Sequence, residues 1–520
     1  MFQGIASESN NAMVTQEELF QLEQIRAFEL EMKRKLPIGA LMQAAGKAAV
    51  DLILDLLGSK TGNVLILVGA GDNGGDAFEV AAELASKEFI VDIIMMGQVE
   101  NYSAEAQMSL HKVKNFDQSK IRWISLARFE QSDLHNWAII VDGLFGIGLN
   151  RPIDGKVAAL INSINLKNTP PLVPVLALDV PSGLNADTGQ LFGDHSPAIR
   201  ASHTISFIAN KPGLYTGKGK DYAGQVHLAN LGLRLDVPCV PSAILLTPSM
   251  MRNYLPTRLQ DSHKGSFGEV LVIGGAEGMQ GAAILSGRSA LFGGAGKIFI
   301  GFCGAVPLFD SLHPELMCRD AERIPESVSV QVVGPGLGKS EKALRLIERS
   351  LTDCKKLVID ADGLNLIADS TSLQAYLRDR QTNHLDTIIT PHPLEAARLL
   401  NTTAATIQSN RMQAAQALAE QFNATVILKG AGTVIADSKK LWINNTGNPA
   451  LSTAGTGDVL AGLCGALLAQ GLSSSQAACL AVFTHGLAAD TYVEEGMGPI
   501  GLCASELPTQ IRQILNQLQR

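Results

Sequence analysis

Short runs rich in Val, Ile and Leu alternate along this chain with helix-length segments, and no other feature narrows the possible folds as much. In the first half the runs are Val64–Val68, Val91–Met95, Ala138–Val141, Val175–Leu178 and Thr204–Phe207, with helical stretches at Thr15–Glu31, Gly39–Leu57 and from about Asp76. In the second half they are Val270–Ile273, Ile298–Ile300, Val332–Val333, Leu357–Ile359, Thr387–Ile389 and Thr425–Leu428, with helices at Ala282–Leu291, Glu341–Leu351 and Gln408–Glu420. Strands this apolar suit a parallel sheet buried on both faces, with helices as the crossovers. The series restarts near Pro238–Thr257, which predicts two three-layer αβα domains, 1–240 and 241–520, with 1–12 disordered and Met13 a candidate start.

Composition excludes several classes. Hydrophobic residues make up 46% and charged residues 18% of 520, with 50 glycines, which suits many strand-to-helix turns rather than a coiled coil or a disordered chain. A net charge of −8 argues against a nucleic-acid surface, so an anionic substrate must be held by local amides and a few cations. Seven cysteines without a C-x-x-C pair argue against a disulfide framework or zinc site and predict a cytoplasmic protein. No apolar run approaches about 18 residues and the N-terminus lacks a basic n-region, so neither a membrane span nor a signal peptide is expected.

The stretch Lys429–Gly462 carries chemistry. Lys429-Gly430-Ala431-Gly432-Thr433 precedes Gly455-Thr456-Gly457-Asp458, and an apolar run from Val459 to Leu468 continues as a helix. Glycines free backbone N–H groups to curl around an anion at a helix N-terminus. Asp458 at that entry is placed to take a proton from a substrate hydroxyl while the amides neutralise a phosphoryl group in transfer. This is the signature of a ribokinase-like phosphoryl-transfer site; the plain alternative is a Gly-rich helix entry capped by Asp458.

In the first half the turn Gly69-Ala70-Gly71-Asp72-Asn73-Gly74-Gly75-Asp76 satisfies G-x-G-x-x-G, and Asp92 lies near the spacing of a ribose-binding carboxylate. A plain dehydrogenase reading leaves Asn73 and Asp76 unexplained, because carboxylates beside a pyrophosphate need a compensating cation. Asp142 in VDGLFG and Asp179 with Ser182 in LDVPSG stand at later strand ends, so all three segments can converge on one crevice. Their oxygens suit a hard cation; the plain alternative is that Asp142 and Asp179 cap helices or brace loops.

The matching segments make the resemblance specific. GDNGGDAFEVA (71–81), VDGLFGIGLNRPIDG (141–155), LDVPSGLNADTG (178–189) and TISFIANKPGL (204–214) occur in the first half. SHKGSFGEVLVIGG (262–275), GAAILSGRSALFGGAG (281–296), GPGLG (334–338), DADGLNL (360–366), TPHPLEAARL (390–399), KGAGT (429–433) and GNPALSTAGTGDVLAG (447–462) follow in the second. Over nearly its whole length the chain resembles the bifunctional NAD(P)H-hydrate repair enzymes: a Rossmann-like NAD(P)HX epimerase fused to a ribokinase-like, ADP-dependent (S)-NAD(P)HX dehydratase.

The resemblance implies substrates NADHX and NADPHX, ADP as co-substrate, Mg2+ at the dehydratase site, K+ at the epimerase site, and a homo-oligomer without nucleic-acid or membrane partners. For the epimerase it implies a hydrate site of Asp72, Asn73, Gly74, Gly75, Asp76, Gly146, Ile147, Gly148, Leu149, Asn150, Arg151, Pro152 and Asp179, with Asp179 as acid/base, Lys211 as a lesser candidate, and K+ on Asn73, Asp142 and Ser182. For the dehydratase it implies Asp458 as base, Ala283, Gly336 and His392 on the hydrate, and Lys429, Gly430, Ala431, Gly432, Thr433 and Gly457 on the nucleotide. Glu395 is a weak candidate for Mg2+.

The sequence departs from the family pattern at Asp72 (usually Asn), Ala77 (Gly), Gly143 (Ala), Ile147 (Thr) and Leu394 (Gly), and in Ser452-Thr453-Ala454 before G-T-G-D. Ile147 removes a hydroxyl from the 146–152 ligand loop, while His392, Glu395, Gly457 and Asp458 are retained in the second half. Two rival readings stand beside the resemblance: a true small-molecule kinase in the second half, and a non-catalytic binding module in the first.

Overall fold

A computed structural model describes residues 12–193, 195–232, 234–235, 239–323, 328–382 and 385–519. The expected disorder at 1–12 therefore falls almost entirely outside the described residues. The chain divides into two compact units, one ending at Ala243 and one beginning at Ile244.

The first unit is a parallel sheet of seven strands: β1 (Asn63–Val68), β2 (Val91–Met95), β3 (Ile121–Trp123), β4 (Trp137–Gly143), β5 (Val175–Leu178), β6 (His203–Phe207) and β7 (Gln225–Ala229). Their order, β3-β2-β1-β4-β5-β6-β7, is that of a Rossmann-like sheet, and it reverses between β1 and β4. Val64, Ile66 and Val68 point to a core shared with α2 (Ala40–Leu57) and α3 (Asp72–Ser86). Leu65 and Leu67 point the other way, to Leu160, Ile161 and Ile164, which lie on the helix Gly155–Lys167. Both faces are covered, so the strands carry no polar alternation. The first helix, α1, is Leu22–Lys35 rather than Thr15–Glu31: Gln21 and Gln24 form a capping box that starts it later than apolar spacing suggests.

Helix α3 begins at Asp72, four residues before the expected start, so the Gly-rich stretch is its first turn and not a loop. Packing overrides the poor helix propensity of Gly74 and Gly75. A Cβ on Gly74 would sit 2.1 Å from the Gly69 carbonyl oxygen, and one on Gly75 would sit 2.5 Å from the Met42 sulfur of α2. Gly69 is tighter still, since its Cβ would lie 1.6 Å from the Leu144 carbonyl oxygen after β4. No side-chain rotation relieves that clash. Gly69→Ala is therefore expected to lower unfolding free energy by roughly 3 kcal/mol or more, read as a fall in the denaturation midpoint; an unchanged midpoint would contradict the close approach of β1 and β4.

The second unit repeats the parallel order with β8 (Glu269–Gly274), β9 (Lys297–Phe302), β10 (Met317–Asp320), β11 (Val330–Val333), β12 (Lys356–Ile359), β13 (Asp386–Ile389) and β14 (Thr425–Leu428). The order is β10-β9-β8-β11-β12-β13-β14, followed by antiparallel β15 (Val434–Ala436) and β16 (Leu441–Ile443). Val270, Val272, Val332 and Val358 meet α4 (Gln280–Phe292), α5 (Thr456–Ala469) and α6 (Ser474–Glu494) in one core. Helices Glu341–Asp353 and Arg411–Phe422 contribute nothing to that core yet pack on the sheet, and so cover its other face. Helices α4 and α5 pack at backbone distance, because a Cβ on Gly462 would lie 2.0 Å from the Ser286 carbonyl oxygen. That contact fixes the N-terminus of α5, where Asp458 stands. No described helix is long and apolar enough to cross a membrane.

Candidate active sites at the strand carboxyl ends

In the first unit, Asp142 at the end of β4 is fully buried. Its Oδ1 accepts from Ser182 Oγ at 2.7 Å and Leu144 N at 3.2 Å, and its Oδ2 accepts from Ser182 N at 2.8 Å. Burial pushes its carboxyl up to about 6, against the pull of these donors. Ser182 Oγ also accepts from Phe145 N at 2.9 Å, which draws the 142–146 loop onto the β5 end. Asn73, on the first turn of α3, has both side-chain polar atoms buried without a hydrogen-bond partner, and a Cβ on Gly146 would lie 3.5 Å from its Oδ1. Asn73 thus lies against Gly146, and the Ser182–Phe145 contact ties the Asp142–Ser182 pair to the same loop.

Asp179, immediately after β5, holds a left-handed backbone at φ +67°, a strained conformation for a non-glycine residue. Its carboxylate pairs with the ammonium of Lys211, which is wholly buried and also donates to Ser206 Oγ and the Phe207 carbonyl, each at 3.0 Å. Phe207 N donates to the same Asp179 oxygen at 3.3 Å. The pair lies beside a cavity of about 260 Å3 whose lining includes Asp179, Asp72, Asn73, Asp76, Gly146, Ile147 and Gly148. Burial, with Asp179 and Asp72 nearby, pushes the Asp76 carboxyl well above its ordinary range.

The remaining expected residues fall elsewhere. Gly74 and Gly75 are packing positions outside the lining. Leu149 packs into the opposite core, while Asn150, Arg151 and Pro152 are exposed on the loop and do not line the cavity. Sequence reasoning missed the contribution of α1 and α2, namely Arg26, Glu29, Lys33, Met42 and Ala45, and that of Glu105. Asp92 is no ribose ligand: Arg122 holds both its oxygens at 2.7 and 2.8 Å and Trp137 Nε1 donates at 2.8 Å. The dehydrogenase alternative loses its acidic residue to a structural ion pair.

In the second unit, Asp360 follows β12, Thr390 follows β13 and Lys429 follows β14. Asp360 Oδ1 accepts from Thr390 Oγ1 at 2.6 Å and from Lys429 Nζ at 2.7 Å. Burial opposes the Lys429 charge, but Asp360 and Glu395 more than offset it and hold the ammonium above its ordinary value. A Cβ on Gly457 would sit 3.4 Å from Lys429 Nζ, so the α5 N-terminus faces this cation directly. Gly455, not Asp458, is the N-cap; Asp458 is the third residue of the helix. Burial and the charge of Asp360 push the Asp458 carboxyl up to about 7, with Lys429 opposing.

His392 caps the helix Pro393–Leu399: its Nδ1 accepts from Leu394 N at 3.1 Å and Glu395 N at 3.3 Å, and its own backbone N donates to Glu395 Oε2 at 2.8 Å. Burial, reinforced by Lys429, lowers the imidazole pKa, which favours the neutral ring. Burial pushes Glu395 up to about 7. The KGAGT segment is the loop of the β14–β15 hairpin, with Lys429 at its base and Ala431 exposed at its tip. Gly430 lies over the buried Arg411, Thr433 Oγ1 donates back to the Gly430 carbonyl at 3.0 Å, and Gly432 is buried between them. Gly336, at φ +56°, accepts from Ala276 N at 2.6 Å, whereas Ala283 is wholly buried against Gly275 and presents no side chain to the crevice. Asp360 was within reach of sequence reasoning, since it follows a strand as Asp179 does.

Two αβα units, each with a carboxylate–lysine pair at the carboxyl ends of its parallel sheet, define an α/β enzyme with two separate reaction sites. Residues 270–512 match the family model described as NAD(P)H-hydrate dehydratase, and residues 38–213 match the YjeF-related protein N-terminus. The bifunctional NAD(P)H-hydrate repair enzyme of Coxiella burnetii is 36% identical over 96% of this chain and 99% of its own length. Those of Moorella thermoacetica (33%, 98% and 97%) and Escherichia coli (35%, 92% and 90%) are similar. Among solved structures, the ADP/ATP-dependent NAD(P)H-hydrate dehydratase of Bacillus subtilis, co-crystallised with ATP and Mg2+, is 29% identical over 52% of this chain and 97% of that one, with a TM-score of 0.45. The chain belongs to the bifunctional NAD(P)H-hydrate repair enzymes.

Proposed function

We propose that the second unit dehydrates (S)-NAD(P)HX with ADP and that the first interconverts the R and S epimers. The observation that carries this reading is the repeated pairing, Asp179–Lys211 in one unit and Asp360–Lys429 in the other, each at the mouth of its sheet. In the substrate, water has added at C6 beside the ring nitrogen, and the hydroxyl is a poor leaving group.

In the dehydratase crevice Asp458 removes the proton of the C6 hydroxyl as that oxygen takes the terminal phosphoryl group of ADP, which leaves as AMP. The Gly455–Gly457 backbone and Lys429 face the negative charge that spreads over the phosphoryl oxygens. The ring nitrogen lone pair then forms the C–N double bond as the C6–O bond breaks and phosphate departs; loss of the C5 proton returns the dihydronicotinamide. Lys429 to Thr433 with Gly457 bind the nucleotide, and His392 and Gly336 contact the hydrate, Ala283 only through its backbone. Glu395, a buried carboxyl beside Lys429, would offer Mg2+ an oxygen donor, and the ion would supply charge neutralisation to the nucleotide phosphates. One phosphate released per NADH formed is expected, and phosphate retained on an organic product would contradict the reading.

In the epimerase crevice Asp179 moves the proton that opens and recloses the hemiaminal, while Lys211 fixes its carboxylate. Asn73, Asp142 and Ser182 fit K+: the Asn73 Oδ1 is buried without a partner and the donor set is all oxygen. The ion would supply a fixed positive charge beside the carboxylates. Asn73→Ala is expected to abolish K+ stimulation of epimer exchange while leaving dehydration of the S epimer unchanged; retained stimulation would remove Asn73 from the set. Seven free thiols suit a reducing cytosol, and a homo-oligomer is the expected assembly.

A further inference from the structure

Arg26, Glu29 and Lys33 line the first cavity from positions i, i+3 and i+7 of α1, one face of a single helix. Helix α1 precedes the segment matched by the family model, which begins at residue 38. The cavity is graded from floor to rim. Asp179, which lines it, is buried, whereas the side chains of Lys33 and Asp72 are 39% and 56% exposed and Arg26 is exposed. At about 260 Å3 it falls short of the ~300–1,000 Å3 of sites that enclose whole small ligands. It therefore has room for the ring end of a dinucleotide against Asp179, with the diphosphate left at the rim.

The carboxylates of Asp72, Asp179 and Glu105 repel a diphosphate, so its binding requires cations at the rim. Lys33 stands there, 3.1 Å from Glu105 Oε2 and 3.6 Å from Asp72 Oδ2. Asp72 also accepts from Ser103 Oγ at 2.6 Å, a contact independent of Lys33. Resting on the epimerase reading of this cavity, we propose that Arg26 and Lys33 bind the substrate diphosphate and that Asp72 competes with it for Lys33. Of the two carboxylates beside Lys33, Asp72 is the more exposed; an ammonium that exchanges that partner for a doubly charged anion gains affinity, and the partner it leaves sets how much.

The test follows R-to-S exchange without ADP, using hydrated NADH and hydrated dihydronicotinamide riboside, which has the ring but no phosphate. For Arg26→Ala and Lys33→Ala we expect KM for hydrated NADH to rise roughly tenfold, with kcat and the riboside kinetics unchanged. Lys33→Arg should restore most of the loss, and Asp72→Asn should lower KM for hydrated NADH relative to that for the riboside. Equal losses on both substrates, or no change on either, would overturn the proposal. Failure of the wild-type protein to exchange epimers of either substrate would instead overturn the epimerase reading itself.

Discussion

Asp458→Ala is expected to abolish ADP-dependent recovery of NADH from (S)-NADHX, with kcat falling by roughly 10^3-fold or more, while R/S exchange continues at the wild-type rate. The buried carboxyl at the α5 N-terminus is the group placed to accept the hydroxyl proton, whereas Asp360 is held by Lys429 and Thr390, Asp362 by the Gly338 amide and Glu395 by the His392 amide. Its pKa adds a second signature. A base must be deprotonated to act, and burial with the Asp360 charge has raised this one to about 7. The dehydration rate should therefore be near its plateau above pH 8 and fall roughly tenfold per pH unit below pH 7. A wild-type rate that stayed flat down to pH 5 would remove Asp458 from the proton-transfer step, as would an Asp458→Ala enzyme that still turned over.

Lys211→Met is expected to stop epimerisation almost as completely as Asp179→Ala, by roughly 10^2- to 10^3-fold, and to leave dehydration intact. Lys211 is buried and its ammonium is spent on the Asp179 carboxylate, Ser206 and the Phe207 carbonyl, so its loss removes the ammonium partner of Asp179 and leaves the Phe207 amide as the donor to it. With mixed epimers the variant should recover the S fraction quickly and the R fraction only at the uncatalysed rate. Because the change also buries an unpaired carboxylate, thermal unfolding of the first unit and dehydration by the second should be followed together. A folded Lys211→Met protein with normal epimer exchange would show that the pairing is structural and that Asp179 acts without it.

The sheets were legible in the sequence because strands buried on both faces cannot hide their composition: Val175–Leu178 and Thr425–Leu428 need no tertiary context. Edge strands were not legible. Gln225–Ala229 and Met317–Asp320 are only partly buried, and their mixed polarity reads as loop. The Gly-rich start of α3 misled for the opposite reason, since Gly74 and Gly75 are helical only because Gly69 and Met42 crowd them from outside the local sequence. Motif reasoning found Asp142, Asp179, Asp458 and Lys429, each adjacent to a strand end or helix start. It could not find Lys33 or Glu29, whose place at the cavity rim depends on how α1 folds back over the carboxyl ends. It placed Lys211 second to Asp179 and did not single out Asp360, because a lysine or aspartate in isolation does not announce its partner.

The most direct measurement is recovery of the near-ultraviolet absorbance of reduced nicotinamide from a mixed-epimer NADHX preparation, with ADP, Mg2+ and K+, by the wild-type protein beside Asp458→Ala and Asp179→Ala. Complete recovery by wild type, none by Asp458→Ala, and a fast phase limited to the S fraction for Asp179→Ala is the predicted result. No recovery by the wild-type protein with either ADP or ATP would contradict the account.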